Sequence, residues 1–377
     1  MKRRLLKIIK VTLVTVISLA VLLFIVVQVV WQDAEFGGEM DAESLLKAKA
    51  SGKYIEGSFT NTPRAIPSDL SASFKEFMGN QVRKPDALFP VETPQINDSV
   101  SSTLKAIWFG HASVYLEMEG KRIMTDPMLS THAFPVKWLA PQRYNPPPMQ
   151  LEALPAIDFV TISHDHFDHL DMKTIKTLAK KGTLFFVGIG IKAHLVAWNI
   201  PDTQIYEMDW WEAVTIGEFK IRCTPARHYS GRKLMNKATL WASWVIESPN
   251  YSVFHSGDSG YNTHFKEIGK KFGPFDMGFI KIGDYGEDKG WRDIHMHTEY
   301  SVQAAKDVKA NIMFPIHWGT FALSYHDWFE PINLAVRYAK AENVTLVTPK
   351  LGQTISVGEK VENEMWWKAL EPQTIKK

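Results

Sequence analysis

One nine-residue stretch constrains this chain more than any other, because it concentrates metal-binding side chains where a predicted strand meets a predicted helix. Residues 163–171 read Ser-His-Asp-His-Phe-Asp-His-Leu-Asp and contain three histidines and three aspartates. The apolar run at 156–162 predicts a buried strand, and residues 173–182 predict a helix that ends at a glycine. Ligands of open α/β sheets bind at the carboxyl ends of strands. The stretch is therefore predicted to be a binding loop at one edge of a sheet.

The spacing inside this stretch indicates a metal site. His164 and His166 are separated by one residue, so on an extended strand end both side chains point the same way and form a chelate. Asp168 and His169 follow where the chain turns into the helix and are placed to face a second ion. Imidazole and carboxylate suit zinc, with iron or manganese as alternatives. A charged helix cap would explain one such residue, the role we assign to Asp171, but not six in nine.

An uncharged run of 21 residues at 11–31 is long enough to cross a bilayer. Basic residues fill the segment 1–10 and acidic residues follow the run, so the positive-inside rule predicts a cytoplasmic tail at 1–10, a transmembrane anchor at 11–31 and an extracytoplasmic main domain. A cleaved signal peptide is the alternative, but its apolar core is usually about 7–15 residues and no Ala-x-Ala site follows here. A buried core helix would require a polar face, which the run lacks.

Composition limits the classes of protein and of partner that remain possible. Without the five basic residues of the first ten, the formal net charge falls from +2 to −3, so no nucleic-acid partner is predicted. The single cysteine, Cys223, excludes an internal disulfide framework and a multi-cysteine metal site. Residues 32–102 are weakly patterned and interrupted by five prolines, which predicts a tether and wrapping segment. The oligomeric state has no signature in the sequence.

From residue 103 to 377 the pattern predicts one domain. Strands are predicted at 106–109, 114–118, 122–125, 184–187, 277–282 and 312–315, hairpins at 214–224 and 240–254, and helices at 192–198, 264–272 and 300–308. Strands that dominate first and then alternate with helices indicate sheets sandwiched between helices. The loop at 126–148 exceeds the usual length of about 12–15 residues and carries Phe134, Trp138 and Tyr144, so we expect it to line a site.

Three further candidate ligands, His228, Asp258 and His317, each follow a predicted strand. Together with His-x-His-x-Asp-His at 164–169 they resemble the metallo-β-lactamase superfamily, over about residues 103–351. Within it the chain is most similar to the branch of N-acylphosphatidylethanolamine-hydrolysing phospholipases D. The most specific segments of that resemblance are Ile-Gly-Lys-Lys-Phe-Gly-Pro-Phe-Asp at 268–276 and Ile-His-Trp-Gly-Thr-Phe-Ala-Leu at 316–323.

The resemblance implies an α/β fold, the αββα sandwich, with two zinc ions at one edge of the sheets. It places His164, His166 and His228 on one ion, Asp168, His169 and His317 on the other, and Asp258 between them, with a metal-bound hydroxide as nucleophile. Asp168, Asp258 and His295 are the implied catalytic residues, His295 for phosphate binding or proton donation, although a solvated loop histidine is the plain alternative. His297 departs from the branch, which has Asn or Asp followed by Pro there.

Some assignments are secondary. Asp126 is a candidate acceptor for a ligand imidazole, and His111 is expected to be a buried structural residue near the metals. Gly257-Asp258-Ser259-Gly260 looks like a serine-protease nucleophile loop, but Tyr261 follows it and Asp258 is needed as a ligand, so Ser259 is not assigned that role.

These observations predict a membrane-anchored dinuclear metal hydrolase. Its expected reaction is phospholipase D-type hydrolysis of an N-acylphosphatidylethanolamine-like lipid. The alternative enzyme is a lactonase or phosphodiesterase that acts on a soluble small molecule. The alternative without catalysis is a scaffold that retains a structural metal site. A lipid substrate would be consistent with the anchor, which holds the site beside the bilayer.

Overall fold

A computed structural model describes residues 2–233, 237–360 and 363–372. Its strands are β1 (Tyr54–Ile55), β2 (Ser58–Phe59), β3 (Lys105–Gly110), β4 (Ser113–Met118), β5 (Lys121–Thr125), β6 (Phe159–Ile162), β7 (Leu184–Gly188), β8 (Ile205–Met208), β9 (Ala213–Ile216), β10 (Phe219–Thr224), β11 (Ser243–Glu247), β12 (Ser252–His255), β13 (Phe275–Lys281), β14 (Ala310–Ile316) and β15 (Thr354–Ser356). The helices are α1 (Lys2–Val30), α2 (Ala42–Ala50), α3 (Leu70–Phe77), α4 (Met172–Ala179), α5 (Ile191–Ala197), α6 (His264–Lys271), α7 (Lys289–Ile294), α8 (Thr298–Asp307) and α9 (Glu330–Ala341).

Two sheets form the centre of the domain. The larger has the order β15-β3-β4-β5-β6-β7-β8, and the smaller has the order β14-β13-β12-β11-β10-β9. In both, antiparallel hairpins give way to parallel pairs, at β5–β6 and at β12–β13. Apolar side chains from both sheets, Trp108, Leu116, Trp244 and Phe279 among them, share one buried core. Each sheet is covered on both of its faces. This explains why its strands appear in the sequence as continuous apolar runs.

Helices cover the two outer faces. α5 packs on β7 and β8, and α8 packs on β13 and β14. The amphipathic helix α4 buries Thr174, Ile175 and Leu178, whose spacing places them on one side of the helix. Asp171 caps it by accepting a hydrogen bond from the Lys173 amide, which confirms the predicted cap. The helix–sheet–sheet–helix order confirms the predicted αββα sandwich.

The N-terminal apolar run belongs to one helix, because α1 starts at Lys2 and includes the basic residues. Within the described residues, 3–30 form the one helix long and apolar enough to cross a membrane, and its side chains are not buried against the protein. Such a helix serves as an anchor or as a signal sequence. The segment after it docks on the main domain: Lys53 forms an ion pair with Asp209 (2.8 Å), and the Asn61 amide donates to the carbonyl of His228 (2.7 Å).

One predicted strand starts three residues later than expected. The strand expected from residue 240 begins at Ser243. The apolar residues before it are buried, but their amides bond to loops of the other sheet: Leu240 to the carbonyl of Ile189 (2.7 Å) and Ala242 to that of Ser163 (2.8 Å). This crossing ties the smaller sheet to the loop at 163–171.

Candidate metal centre

The carboxyl ends of strands from both sheets meet at one edge of the sandwich. The loop after β6 carries 164–169, His228 follows β10, Asp258 follows β12, and His317 follows β14. Gly257 allows the loops after β6 and β12 to approach, because its φ is +53° and a Cβ there would lie 2.5 Å from the Cβ of Ser163. All seven residues predicted from the sequence as metal ligands are brought together here.

Three histidines form the first group. Nε2 of His164 lies 2.8 Å from Nδ1 of His166, and Nε2 of His228 lies 3.3 Å from the same atom. Burial lowers the pKa of His166 and holds the pKa values of His164 and His228 well below their usual range. Three neutral imidazoles are therefore directed at one point, as a cation requires.

The second group combines histidines with a carboxylate. Oδ2 of Asp168 lies 3.4 Å from Nε2 of His169, 3.7 Å from Nε2 of His317 and 2.7 Å from Nε2 of His111. Burial acts to lower the pKa of His169, but the carboxylates of Asp168 and Asp258 outweigh it and raise that pKa well above its usual value. Burial also acts to lower the pKa of His317, but Asp258 and Asp168 outweigh it and raise that pKa.

Asp258 lies between the two groups. Its Oδ2 is 3.7 Å from Nε2 of His228 in the first group and 3.5 Å from Nε2 of His169 in the second. Its Oδ1 is 2.9 Å from Nε2 of His317. The carboxylate is largely buried, with 3% exposure, and it faces both sets of imidazoles.

The donor atoms fit a cation-binding site because several of them have no other partner. Nε2 of His169, both ring nitrogens of His317 and Oδ1 of Asp258 are buried without a well-directed hydrogen bond, even though Oδ1 of Asp258 lies 2.9 Å from Nε2 of His317. Buried polar atoms are almost always hydrogen-bonded, so this cluster of exceptions needs an explanation. Cations bound by Nε2 of His169, one ring nitrogen of His317 and Oδ1 of Asp258 would satisfy three of these four atoms at once.

Neighbouring residues orient the ligand side chains. Asp126 accepts from Nδ1 of His169 (2.8 Å) through Oδ2 and from the amide of Ser163 (2.6 Å) through Oδ1. The hydroxyl of Ser163 lies 2.9 Å from Nδ1 of His164, and the carbonyl of Ile294 lies 3.2 Å from Nδ1 of His228. Such contacts fix which nitrogen of each imidazole faces the metal. The expectation that Asp126 serves a ligand histidine agrees with this geometry.

A further contact joins the loop to the N-terminal segment. Asp165, between the two chelating histidines, faces away from them, and its Oδ2 lies 3.2 Å from Nε2 of His194. Nδ1 of His194 accepts from the amide of Gly38 (3.1 Å), so Nε2 carries the proton that bonds to Asp165. The segment that follows α1 is thereby connected to the metal-binding loop.

Two charged residues at the site were missed from the sequence. The buried Lys281 places Nζ 2.8 Å from the carbonyl of Gly283 and 2.8 Å from Nδ1 of His295. Oδ2 of Asp284 lies 3.7 Å from Nδ1 of His295, and burial raises the pKa of Asp284 to about 7. Asp284 lies just beyond β13, so the rule that selected the other strand-end residues would have selected it too. Lys281 gave no signal, because a lysine in a strand usually faces solvent.

His295 is buried, with 3% exposure, which excludes the solvated loop histidine. Its Nδ1 is 4.0 Å from Oδ2 of Asp258, and its ring stacks on Trp291 with centroids 4.5 Å apart. His111 is buried as expected, yet it bonds directly to Asp168 rather than lying apart from the ligands. His297 caps α8, where its side chain accepts a hydrogen bond from the Glu299 amide.

A cavity of about 230 Å³ opens onto the centre. Its polar walls include Asp168, Asp258, Asp284 and His295, and its apolar walls include Ala133 and Phe167. Phe167 also lines a larger cavity of about 540 Å³, whose walls reach Glu35 and Lys137. The edge that carries the candidate ligands therefore faces the residues that follow α1.

A sandwich of this kind with convergent histidines and aspartates defines a metal-dependent hydrolase of the β-lactamase fold. Residues 121–318 match the family model of the beta-lactamase superfamily domain. The chain belongs to that superfamily and, within it, to the branch that includes the N-acyl-phosphatidylethanolamine-hydrolyzing phospholipases D.

Individual relatives agree with this placement. An uncharacterized protein of Mycobacterium bovis is 38% identical over 331 residues, which cover 85% of this chain and 88% of that protein. N-acyl-phosphatidylethanolamine-hydrolyzing phospholipase D 1 of Caenorhabditis elegans is 34% identical over 256 residues, covering 65% and 72%. The solved structure of a metallo hydrolase from Ignicoccus hospitalis aligns with a TM-score of 0.50 at 21% identity, over 68% of this chain and all of that one, and supports the fold.

Proposed function

We propose that this chain is a membrane-anchored phosphodiesterase of the phospholipase D type, which hydrolyses N-acylphosphatidylethanolamine-like lipids at a two-metal centre. The observation that carries the proposal is the position of Asp258. One buried carboxylate lies within 3.7 Å of imidazole nitrogens from two separate ligand groups. A single-metal site would need only one of these groups.

In this proposal His164, His166 and His228 would hold one zinc ion, Asp168, His169 and His317 would hold the other, and Asp258 would be shared by the two. Iron or manganese could be held by the same donors. The bound ions would lower the pKa of a water molecule and neutralise charge on the phosphodiester. The seven side chains supply the fixed geometry, and the neutral imidazoles of the first group need lose no proton to act.

His295 is proposed to bind the phosphate or to donate a proton to the leaving oxygen. Lys281 donates to Nδ1 of His295 and so keeps the ring proton on Nε2. The stack on Trp291 fixes the plane of the ring. A buried imidazole with one tautomer imposed on it is suited to contact a substrate oxygen in a defined direction.

The lipid substrate is supported by the named activity of the Caenorhabditis elegans relative and by the placement of the cavity. The cavity shares Phe167 with a second cavity that reaches Glu35, five residues beyond the end of α1. With α1 as an uncleaved anchor, its N-terminus in the cytoplasm and the hydrolase domain on the other side, a membrane lipid would meet the site without leaving the bilayer.

Metal analysis combined with turnover tests this function. The full chain, loaded with zinc, is expected to contain two ions and to release phosphatidate from N-acylphosphatidylethanolamine in mixed micelles. A panel of lactones and a soluble phosphodiester serve as competing substrates. Hydrolysis of a lactone without cleavage of the lipid would reject the phospholipase assignment and favour the soluble-substrate alternative. Two bound ions with no turnover of any substrate would favour a structural site.

A further inference from the structure

The long loop before β6 contains an ordered projection, residues 131–143, called the finger below. Its two sides are joined by hydrogen bonds from the Arg143 amide to the carbonyl of Thr131 (2.9 Å) and from the Ala133 amide to that of Pro141 (3.0 Å). A turn closes its tip, where the Leu139 amide bonds to the carbonyl of Val136 (2.9 Å). The finger is therefore a built element rather than an irregular excursion.

The tip of the finger exposes large apolar side chains. Trp138 is 83% exposed and Leu139 is 62% exposed. Apolar surface in water costs roughly 25 cal/mol per Å², so two adjacent exposed side chains of this size call for a partner. An indole with an apolar body and one N–H donor is the side chain most typical of the interface between lipid and water.

The finger lies beside the end of the apolar helix. At its base, the ring of Phe134 contacts Phe36 (centroids 6.0 Å apart), six residues beyond the last residue of α1. Nearer the tip, Lys137 lines the same cavity as Glu35. If α1 crosses a bilayer, Glu35 and Phe36 lie just outside it, and the finger that packs beside them has its tip close to the bilayer surface.

The charge of the finger suits the same partner. Residues 131–143 contain no acidic residue. The guanidinium of Arg143 is used inside the protein, where it donates to the carbonyls of Met128 and Phe109 (both 2.7 Å), but Lys137 beside Trp138 is exposed. An exposed Trp-Leu pair next to a lysine matches a surface of anionic phospholipid.

We propose that the tip of the finger, Trp138 and Leu139, inserts into the lipid headgroup layer of the membrane that α1 crosses. This inference rests on the proposed membrane location of α1. Insertion would also affect the cavity at the metal centre. Ala133 at the base of the finger lines the metal-centre cavity, and the ring of Phe134 packs on Phe167 of the metal-binding loop (5.0 Å). Insertion of the tip turns the mouth of the cavity towards the headgroups.

An environment-sensitive label tests the insertion in the full chain. The only native cysteine, Cys223, is buried, so a thiol-reactive nitrobenzoxadiazole dye will attach to an introduced cysteine in W138C. The matched control is E218C, which is exposed in the turn before β10, at the opposite end of that strand from His228. L139C provides a second position at the tip. Each labelled chain is reconstituted into vesicles of phosphatidylcholine and phosphatidylglycerol.

Flotation and emission are then read separately. The proposal expects every chain to float with the vesicles, with blue-shifted emission at 138 and 139 that spin-labelled lipid quenches, and unshifted, unquenched emission at 218. Chains that float but show water-like emission at both tip positions would overturn the finger proposal and leave the anchor intact. Chains that do not float would overturn the membrane location and the insertion that rests on it.

Discussion

The two ligand groups of the metal centre differ in how the protein prepares them. The first, His164, His166 and His228, is built from neutral imidazoles whose pKa values are lowered by burial. The second, in which His169 and His317 face Asp168 and Asp258, has histidine pKa values raised by carboxylates. Protons therefore compete with a cation at the second group and not at the first. One loop of six residues thus contributes to two groups of side chains whose histidine pKa values are shifted in opposite directions.

The largest effect is expected where the two groups are joined. Asp258→Ala removes the carboxylate that both groups share, so we expect loss of at least one ion per chain and a fall in turnover of about 10³-fold, equivalent to several kcal/mol of charge stabilisation. Metal content by mass spectrometry and turnover by lipid analysis measure the two losses. Asp171→Asn is the matched control. Asp171 caps α4 and is not a candidate ligand, so this variant should keep its metal. Full activity of Asp258→Ala would refute the bridging role.

Single-group variants test the difference in proton affinity. His228→Ala impairs the first group and His317→Ala impairs the second. Because the raised pKa of His169 keeps it protonated near neutral pH, zinc binding to the metal-free His228→Ala chain should release about one proton or more per ion, and binding should weaken as the pH falls. Zinc binding to His317→Ala should release almost none. Calorimetric titration in two buffers of different ionisation enthalpy counts the protons, and equal release from both variants would contradict the comparison.

A smaller effect is expected from the residue that orients the second group. Asp126→Asn weakens the acceptor for Nδ1 of His169, so we expect zinc affinity of the second group to fall about 10–100-fold. Asp158→Asn is the control, since Asp158 lies just before the other end of β6 and bonds to the amide of Arg122 (2.9 Å). Competition with a chelating dye measures both affinities. An unchanged affinity in Asp126→Asn would remove its orienting role.

The smallest effect concerns a buried histidine outside both groups. Burial lowers the pKa of His264 to about 3, so its contribution to stability is fully present above the unfolded value of about 6.5 and is lost as the pH falls below it. His264→Gln should reduce the stability difference between about pH 7 and pH 5 by roughly 1–2 kcal/mol. Urea unfolding of the zinc-loaded chain in detergent measures it. An identical pH dependence in the variant would show that folding does not change the pKa of His264 and would contradict the prediction.

The sequence predicted the parts of the fold that depend on local pattern. Apolar runs and helix signals placed the sandwich. The spacing within residues 163–171 selected four candidate ligands, and the ends of later strands selected the other three. Prediction from the sequence failed where contacts between distant elements determine the structure. Residues 240–242 are apolar like a strand, yet the amides of Leu240 and Ala242 bond to loops of the other sheet. Lys281 looked like an ordinary charged strand residue, and only the fold shows that His295 from another element covers it.

The hydrogen bond from Gly38 to His194 has a practical consequence for making the protein without its apolar helix. Gly38 cannot be replaced by a larger residue, because a Cβ there would lie 2.5 Å from the carbonyl oxygen of Ala193. Phe36 is buried against Phe167 in the metal-binding loop. An expression boundary placed between residues 31 and 35 keeps both contacts, whereas one placed after residue 38 removes them and leaves His194 without the donor that sets its tautomer. A fragment that keeps both contacts therefore begins no later than Phe36, well before the first strand of the sandwich.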